Sequence, residues 1–185
     1  MSRIKIGVVV FIIMLLTSCG TFEKVTTLNL NTNYFPAKVK KQELVKVLKK
    51  VSINADTLKT LLVVPTSDYW LQMGQNLNFF NEVLTDDQFE SAIVKAGLSE
   101  KVFTVYDKMG LHRAYNIYKP FVILSQTKEN KKGRWYAGLT LYDPKSAETI
   151  FENEIYVDLI WEGWTDQVTT YPLLNSLLDY LREQK

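Results

Sequence analysis

Residues 121–160 read as three strands broken by two turn signals, and nothing else in the chain restricts its fold as tightly. Phe121-Val122-Ile123-Leu124 is apolar throughout, as a central strand covered on both faces would be. In residues 135–141, Ala137, Leu139 and Leu141 share one face and polar or aromatic side chains take the other. That is the period-two alternation of a half-buried strand. Residues 149–160 alternate again, with Phe151, Ile155, Val157 and Leu159 on one side. Asn130-Lys131-Lys132-Gly133 and Asp143-Pro144-Lys145-Ser146 supply the turns. Strands joined by turns this short pair antiparallel, so the pattern predicts a three-strand meander. A helix closes the chain, with Pro172 in its first turn and Leu174, Leu177, Leu178 and Leu181 on one stripe.

Upstream the pattern mixes periods. Residues 58–65 read as a buried strand stopped by Pro65, and a helical stretch follows over about residues 67–81. Thr85-Asp86-Asp87-Gln88 is a capping box, with Leu84 and Phe89 placed for a hydrophobic staple. Gly97 suits the left-handed residue past the helix end, so a helix over residues 86–96 is predicted, facing inward with Phe89, Ala92, Ile93 and Ala96. Residues 101–106 read as another strand, and a short helix falls around residues 111–118. In residues 38–51, Leu44, Val47, Leu48 and Val51 have the spacing of one helix face, and five lysines cover most of the rest. This predicts a basic amphipathic helix, either lying on anionic lipid or docked on the sheet with a solvated basic face. Residues 19–37 are polar and weakly patterned, a tether with a short strand at 25–30. The whole is α+β: a single domain over residues 38–185, with a mixed sheet of about five strands, a carboxy-terminal meander and helices packed on it.

The amino terminus carries an address. Arg3 and Lys5 precede an apolar run over residues 8–16. A bilayer-spanning helix needs about 20 apolar residues, whereas this length suits the hydrophobic region of a signal peptide. Leu16-Thr17-Ser18-Cys19-Gly20 follows. The segment resembles the lipobox cleaved by bacterial lipoprotein signal peptidase. The resemblance implies a signal peptide over residues 1–18, acylation of the Cys19 thiol, and Cys19 as the first mature residue. With Gly20 rather than an aspartate behind the cysteine, it leans towards a Gram-negative outer membrane, with the domain facing the periplasm or the surface; a Gram-positive host is the alternative.

Composition narrows the function. Loss of Arg3 and Lys5 with the leader takes the 22 basic side chains to 20, against 20 acidic ones. Nucleic-acid binders usually carry a strong basic excess, so no nucleic-acid partner is expected. Cys19 is the only cysteine, so its acylation leaves no thiol for disulfides, nucleophilic catalysis or metal binding.

The element order, together with residues 139–150 (a strand, an Asp-Pro turn, then the strand that closes the sheet), resembles a group of envelope proteins. These are the amino-terminal domain of TolB, the penicillin-binding-protein activator lipoproteins and the curli-secretion lipoprotein. The resemblance spans residues 58–184 and implies the fold and a theme of partner binding in the envelope. No glycine follows this chain's Asp-Pro turn, and no functional residue is carried over.

Few residues could carry chemistry. His112 is the only histidine, which excludes a multi-histidine zinc site. Asp86 and Asp87 could pair for acid–base work or calcium, but acidic residues in a first helical turn are explained by the helix dipole. Glu152, Glu154 and Asp158 alternate on one strand face and could line a glycan cleft; a solvated sheet face explains them more simply. Trp161 and Trp164 cluster after the last strand, with Tyr136 and Tyr142 on the outer sheet face as companions. Trp is enriched at binding anchors and is also commonly buried, so core packing competes with a binding role. The sequence-level expectation is a non-enzymatic envelope lipoprotein, held to the bilayer through Cys19 and binding another envelope protein or a cell-wall component. It has no catalytic residues, metal or cofactor. A glycan-acting hydrolase or lyase and a small-ligand carrier are the alternatives.

Overall fold

A computed structural model describes residues 24–54, 58–158 and 165–184. A six-stranded mixed sheet in the order β1-β6-β5-β4-β2-β3 forms its centre. The strands are β1 (Lys46–Lys50), β2 (Thr60–Val64), β3 (Glu82–Thr85), β4 (Val122–Lys131), β5 (Arg134–Asp143) and β6 (Glu148–Val157). Helices are α1 (Val39–Gln42), α2 (Asp68–Gln75), α3 (Asp86–Lys95), α4 (Lys108–Ile117) and α5 (Thr170–Arg182). The expected meander is present: β4, β5 and β6 pair antiparallel in sequence. β2 runs parallel to both β3 and β4.

The two turns of the meander work differently. Lys132 (φ 52°) and Gly133 (φ 81°) both take positive φ, the two-residue geometry whose twist matches paired strands. Asn130 Oδ1 braces it, accepting from the Gly133 N–H at 3.0 Å. The second turn is built on Asp143, which is buried and accepts from the Lys145 and Ser146 N–H groups at 2.9 and 3.2 Å.

One sheet face carries the larger core. Leu61, Val63, Leu124, Leu139, Leu141, Phe151, Ile155 and Val157 meet α2 and α5 in the larger core. Asn153 sits in the same row, fully buried. Its Oδ1 accepts from the Leu139 N–H at 3.1 Å and its Nδ2 donates to the Leu173 carbonyl at 2.9 Å. That satisfied amide stitches β5 and β6 to α5, as a buried polar group requires. Beyond the expected leucine stripe, α5 is buried on nearly every side from Tyr171 to Leu178. The cause is residues 24–37, expected as a tether, whose Phe35 packs on the outer side of α5 and stacks on Tyr171 at 5.9 Å. Among these residues no strand forms at 25–30.

Among the described residues, the opposite face is covered over β2, β3 and β4, where Leu62 and Ile123 meet Phe89, Ile93 and Tyr115 from α3 and α4. The capping box closes: Thr85 Oγ1 accepts from the Gln88 N–H at 3.2 Å, and Gln88 Oε1 accepts from the Thr85 N–H at 3.0 Å. Gly97 follows with φ 70°.

Three further sequence expectations are corrected. Residues 38–51 are not one helix; a four-residue α1 leads into the edge strand β1. Lys46 and Lys49 pair across it with Glu154 and Glu152, and opposite charges on facing strands outweigh a helical apolar spacing. The supposed apolar stripe is half out of the core, with Leu44 54%, Val47 49% and Leu48 48% exposed. Residues 101–106 form no strand: Val102 and Val105 turn inward while Phe103 and Tyr106 stay exposed, and no neighbouring strand pairs with them. The helix expected over 67–81 stops at Gln75, and β3 follows at Glu82–Thr85.

Candidate functional site

The half-covered face defines the site. From β5 to β1 it carries no helix among the described residues, and its row of side chains includes Tyr136, Thr140 and Tyr142 on β5 and Glu152, Glu154 and Tyr156 on β6. Where α3, α4 and the segment between them end, a cleft of about 350 Å³ opens against this face. Its floor is Leu62, Ile123 and Leu111, and Lys108, Thr140 and Tyr142 stand around it. An apolar hollow with a few polar groups is the usual form of a ligand site.

Two glycines shape the region. A Cβ on Gly110 would lie 1.9 Å from the Thr104 carbonyl oxygen, so α4 can lie against the 101–107 segment only with glycine there. A Cβ on Gly138 would lie 2.5 Å from both the Asn153 carbonyl oxygen and Thr127 Oγ1. The centre of the open face is therefore flat between Tyr136 and Tyr142.

Those two tyrosines, expected as companions, share the face but not a surrounding. Six residues along one strand separate them by about 20 Å. Tyr136 pairs across the ladder with Tyr156, rings 5.8 Å apart, and the Lys131 ammonium lies 5.3 Å from its ring centre. Tyr142 borders the cleft, with the Lys108 ammonium 5.9 Å from its ring centre. Its hydroxyl is buried and has no hydrogen-bond partner among the described residues. Burial, with the Asp143 carboxylate adding to it, raises the phenol pKa. Trp161, Trp164 and Cys19 lie outside the described residues.

Three of the candidate acid–base groups, Glu154, Asp86 and His112, are held by neighbours. Glu154 holds Lys131 Nζ at 2.5 Å, and Lys131 also lies 3.2 Å from Glu129. Asp86 accepts from the Thr66 hydroxyl in the first turn of α3. His112 Nδ1 donates to the Pro144 carbonyl at 2.8 Å, which leaves Nε2 to accept from Asn116 at 3.0 Å. Nδ1 thus ties α4 to the second meander turn, and the Nε2 bond to Asn116, one turn along α4, holds the ring in place. Among the described residues no cluster of His, Cys, Asp and Glu is arranged to hold a metal, and no helix is long and apolar enough to cross a membrane.

Sequence reasoning missed the cleft. Its lining comes from β2, β4, β5, β6, α3, α4 and the segment between those helices, and Gly110 falls just before the helix expected around residues 111–118.

No protein-family model and no curated protein matches the chain. Among solved structures, it is similar to the LpoB C-terminal domain from Escherichia coli, at 16% identity and a TM-score of 0.33 over 54% of this chain and 82% of that one. The Salmonella enterica LpoB C-terminal domain gives 14% identity and 0.35 over 59% and 87%. A PelC dodecamer from Paraburkholderia phytofirmans gives 11% identity and 0.35 over 74% and 95%. Likenesses of this size carry no argument about partner, activity or place in the cell.

Proposed function

We propose that this chain is a bacterial envelope lipoprotein, anchored in the outer membrane through acylated Cys19, whose domain binds another envelope protein or a cell-wall component without catalysis. The observation that carries the binding reading is the half-covered sheet, which leaves an aromatic and charged face with a 350 Å³ cleft at its border. The charged and apolar leader ending in Leu16-Thr17-Ser18-Cys19 supports the anchoring. The Lys131 pairing of Glu154 and the structural bonds of His112 favour binding over hydrolysis.

Site-specific photocrosslinking in intact cells tests this. A photoreactive residue at Tyr156 or Thr140 should trap a discrete partner, and the same residue at exposed Ser91 on α3 should not. Equal smears from all three positions would count against a binding face. Cys19→Ala should move the protein from the membrane fraction to the soluble fraction; unchanged fractionation would remove the anchoring reading. A second reading, a small-ligand carrier, rests on the volume and apolar floor of the cleft. Native mass spectrometry of the purified protein would find a retained small molecule if it holds.

A further inference from the structure

Lys24 is fixed to the folded body. Its N–H donates to Asp166 Oδ2 at 2.5 Å, and its carbonyl accepts from the Tyr171 hydroxyl at 2.5 Å. Two residues on, the Thr26 carbonyl accepts from Asn76 Nδ2 at 2.9 Å. Cys19 lies only five residues before Lys24. Five extended residues reach about 17 Å. A lipid on Cys19 therefore brings the surface around Asp166 close to the bilayer.

Asp166 lines a small cavity together with Lys128 and Ala137, part-way along the β4–β5 hairpin. Beyond that level the hairpin runs to its tip. Residues 128–136 carry Lys128, Lys131, Lys132 and Arg134 against Glu129; Glu154 of β6 and Glu129 both pair with Lys131, so Lys132 and Arg134 carry the net positive charge of the tip itself. Trp135 is 39% exposed on one face of the hairpin, and Tyr156, beside Tyr136, is 41% exposed on the other. Basic side chains interleaved with Trp and Tyr suit the head-group layer, where such rings sit and each nearby Lys or Arg is attracted by anionic lipid.

We propose that the tip of the β4–β5 hairpin, residues 131–135, rests on anionic head groups of the membrane that holds Cys19. The proposal rests on the anchoring reading above. It also orients the site: Tyr142 lies seven residues back along β5 from Trp135, about 24 Å away, so the cleft points away from the lipid.

The test uses the full lipidated chain on phosphatidylcholine vesicles with and without phosphatidylglycerol. Arg134→Cys at the tip or Lys145→Cys at the far turn supplies the only free thiol for a nitroxide. Arg134→Cys should lose collisions with a water-soluble nickel complex severalfold and gain collisions with oxygen when phosphatidylglycerol is present. Lys145→Cys should stay open to water. Adding Lys132→Glu should return the tip label to water. Vesicles that float the protein while both labels stay equally exposed would overturn this inference and leave the anchoring intact. A tip shielded only after envelope proteins are added would overturn it in favour of a protein contact. Failure to float at all, with Cys19 present, would overturn both readings.

Discussion

The side chain of Asn175 bonds both backbone groups of Phe35, 140 positions away in sequence: the Phe35 N–H donates to Oδ1 at 2.7 Å, and Nδ2 donates to the Phe35 carbonyl at 3.0 Å. One amide thus does what a strand neighbour would do, for a segment that has none. Asn175→Ala leaves the buried Phe35 N–H unpaired, while the Phe35 carbonyl still accepts from the Ala37 N–H at 2.7 Å; one such unpaired group costs about 1–3 kcal/mol. We expect a lower urea midpoint and faster hydrogen exchange at the Phe35 amide. Unchanged exchange there would mean that the ring stacking on Tyr171 holds the segment by itself.

The phenols packed around α5 set an alkaline limit. Burial, with the Asp166 carboxylate adding to it, pushes Tyr171 up to about 12, and burial with Asp143 does the same for Tyr180. Tyr69, which donates to Asp166 at 2.8 Å, is pushed higher still by burial and that charge. In the unfolded chain these groups ionise near 10. The folded state then holds protons that the unfolded state has released, so unfolding free energy falls as pH rises. Stability attributable to them is intact below pH 10 and lost between 10 and 12. Denaturant titrations across that window should show the decline. Tyr180→Phe, which also gives up a 2.8 Å bond to the Val51 carbonyl, should flatten it.

Two substitutions in the meander should act in opposite directions. Ala147 has φ 58°, a conformation costing a non-glycine residue about 1–2 kcal/mol. Ala147→Gly should raise the melting temperature, less the extra freedom glycine has when unfolded. Gly138→Ala, which meets a backbone oxygen of β6 at 2.5 Å, should cost about 1–3 kcal/mol.

Tyr142→Phe removes a buried hydroxyl that no described residue satisfies. Such a group costs about 1–3 kcal/mol when left unpaired, so the variant should be at least as stable as the parent by thermal melting. A clear loss of stability would show that the hydroxyl has a partner in solution.

The parts legible in sequence were those specified locally. The capping box at Thr85 and the Lys132-Gly133 turn each need only their own few residues, and the alternation in β5 and β6 reports the core face directly. Asn153 was hidden because a polar residue in an apolar row reads as an interruption until Leu173 is seen above it. β1 was hidden for the opposite reason: Leu44, Val47 and Leu48 mimic a helix face, and only the acidic partners Glu152 and Glu154 make its lysines a strand. β3 is four residues long, and its last residue, Thr85, doubles as the cap of α3. The cleft and the open face follow from where α3 and α4 stop across the sheet, which no local pattern records. The surroundings of Tyr136 and Tyr142 differ because an even spacing along a strand puts two residues on one face without putting them together.

With Cys19 acylated as proposed, the bonds that pin Lys24 leave five residues, at most about 17 Å of chain, between the lipid and the domain. A protein on a long leash can sweep a wide volume and meet partners at many heights. This one would work like a bracket screwed to a wall, presenting its free end at a nearly constant distance. Its counterpart would have to come to that level, and lengthening the chain between Cys19 and Lys24 with a flexible insert should blur that selectivity without touching a single contact in the fold.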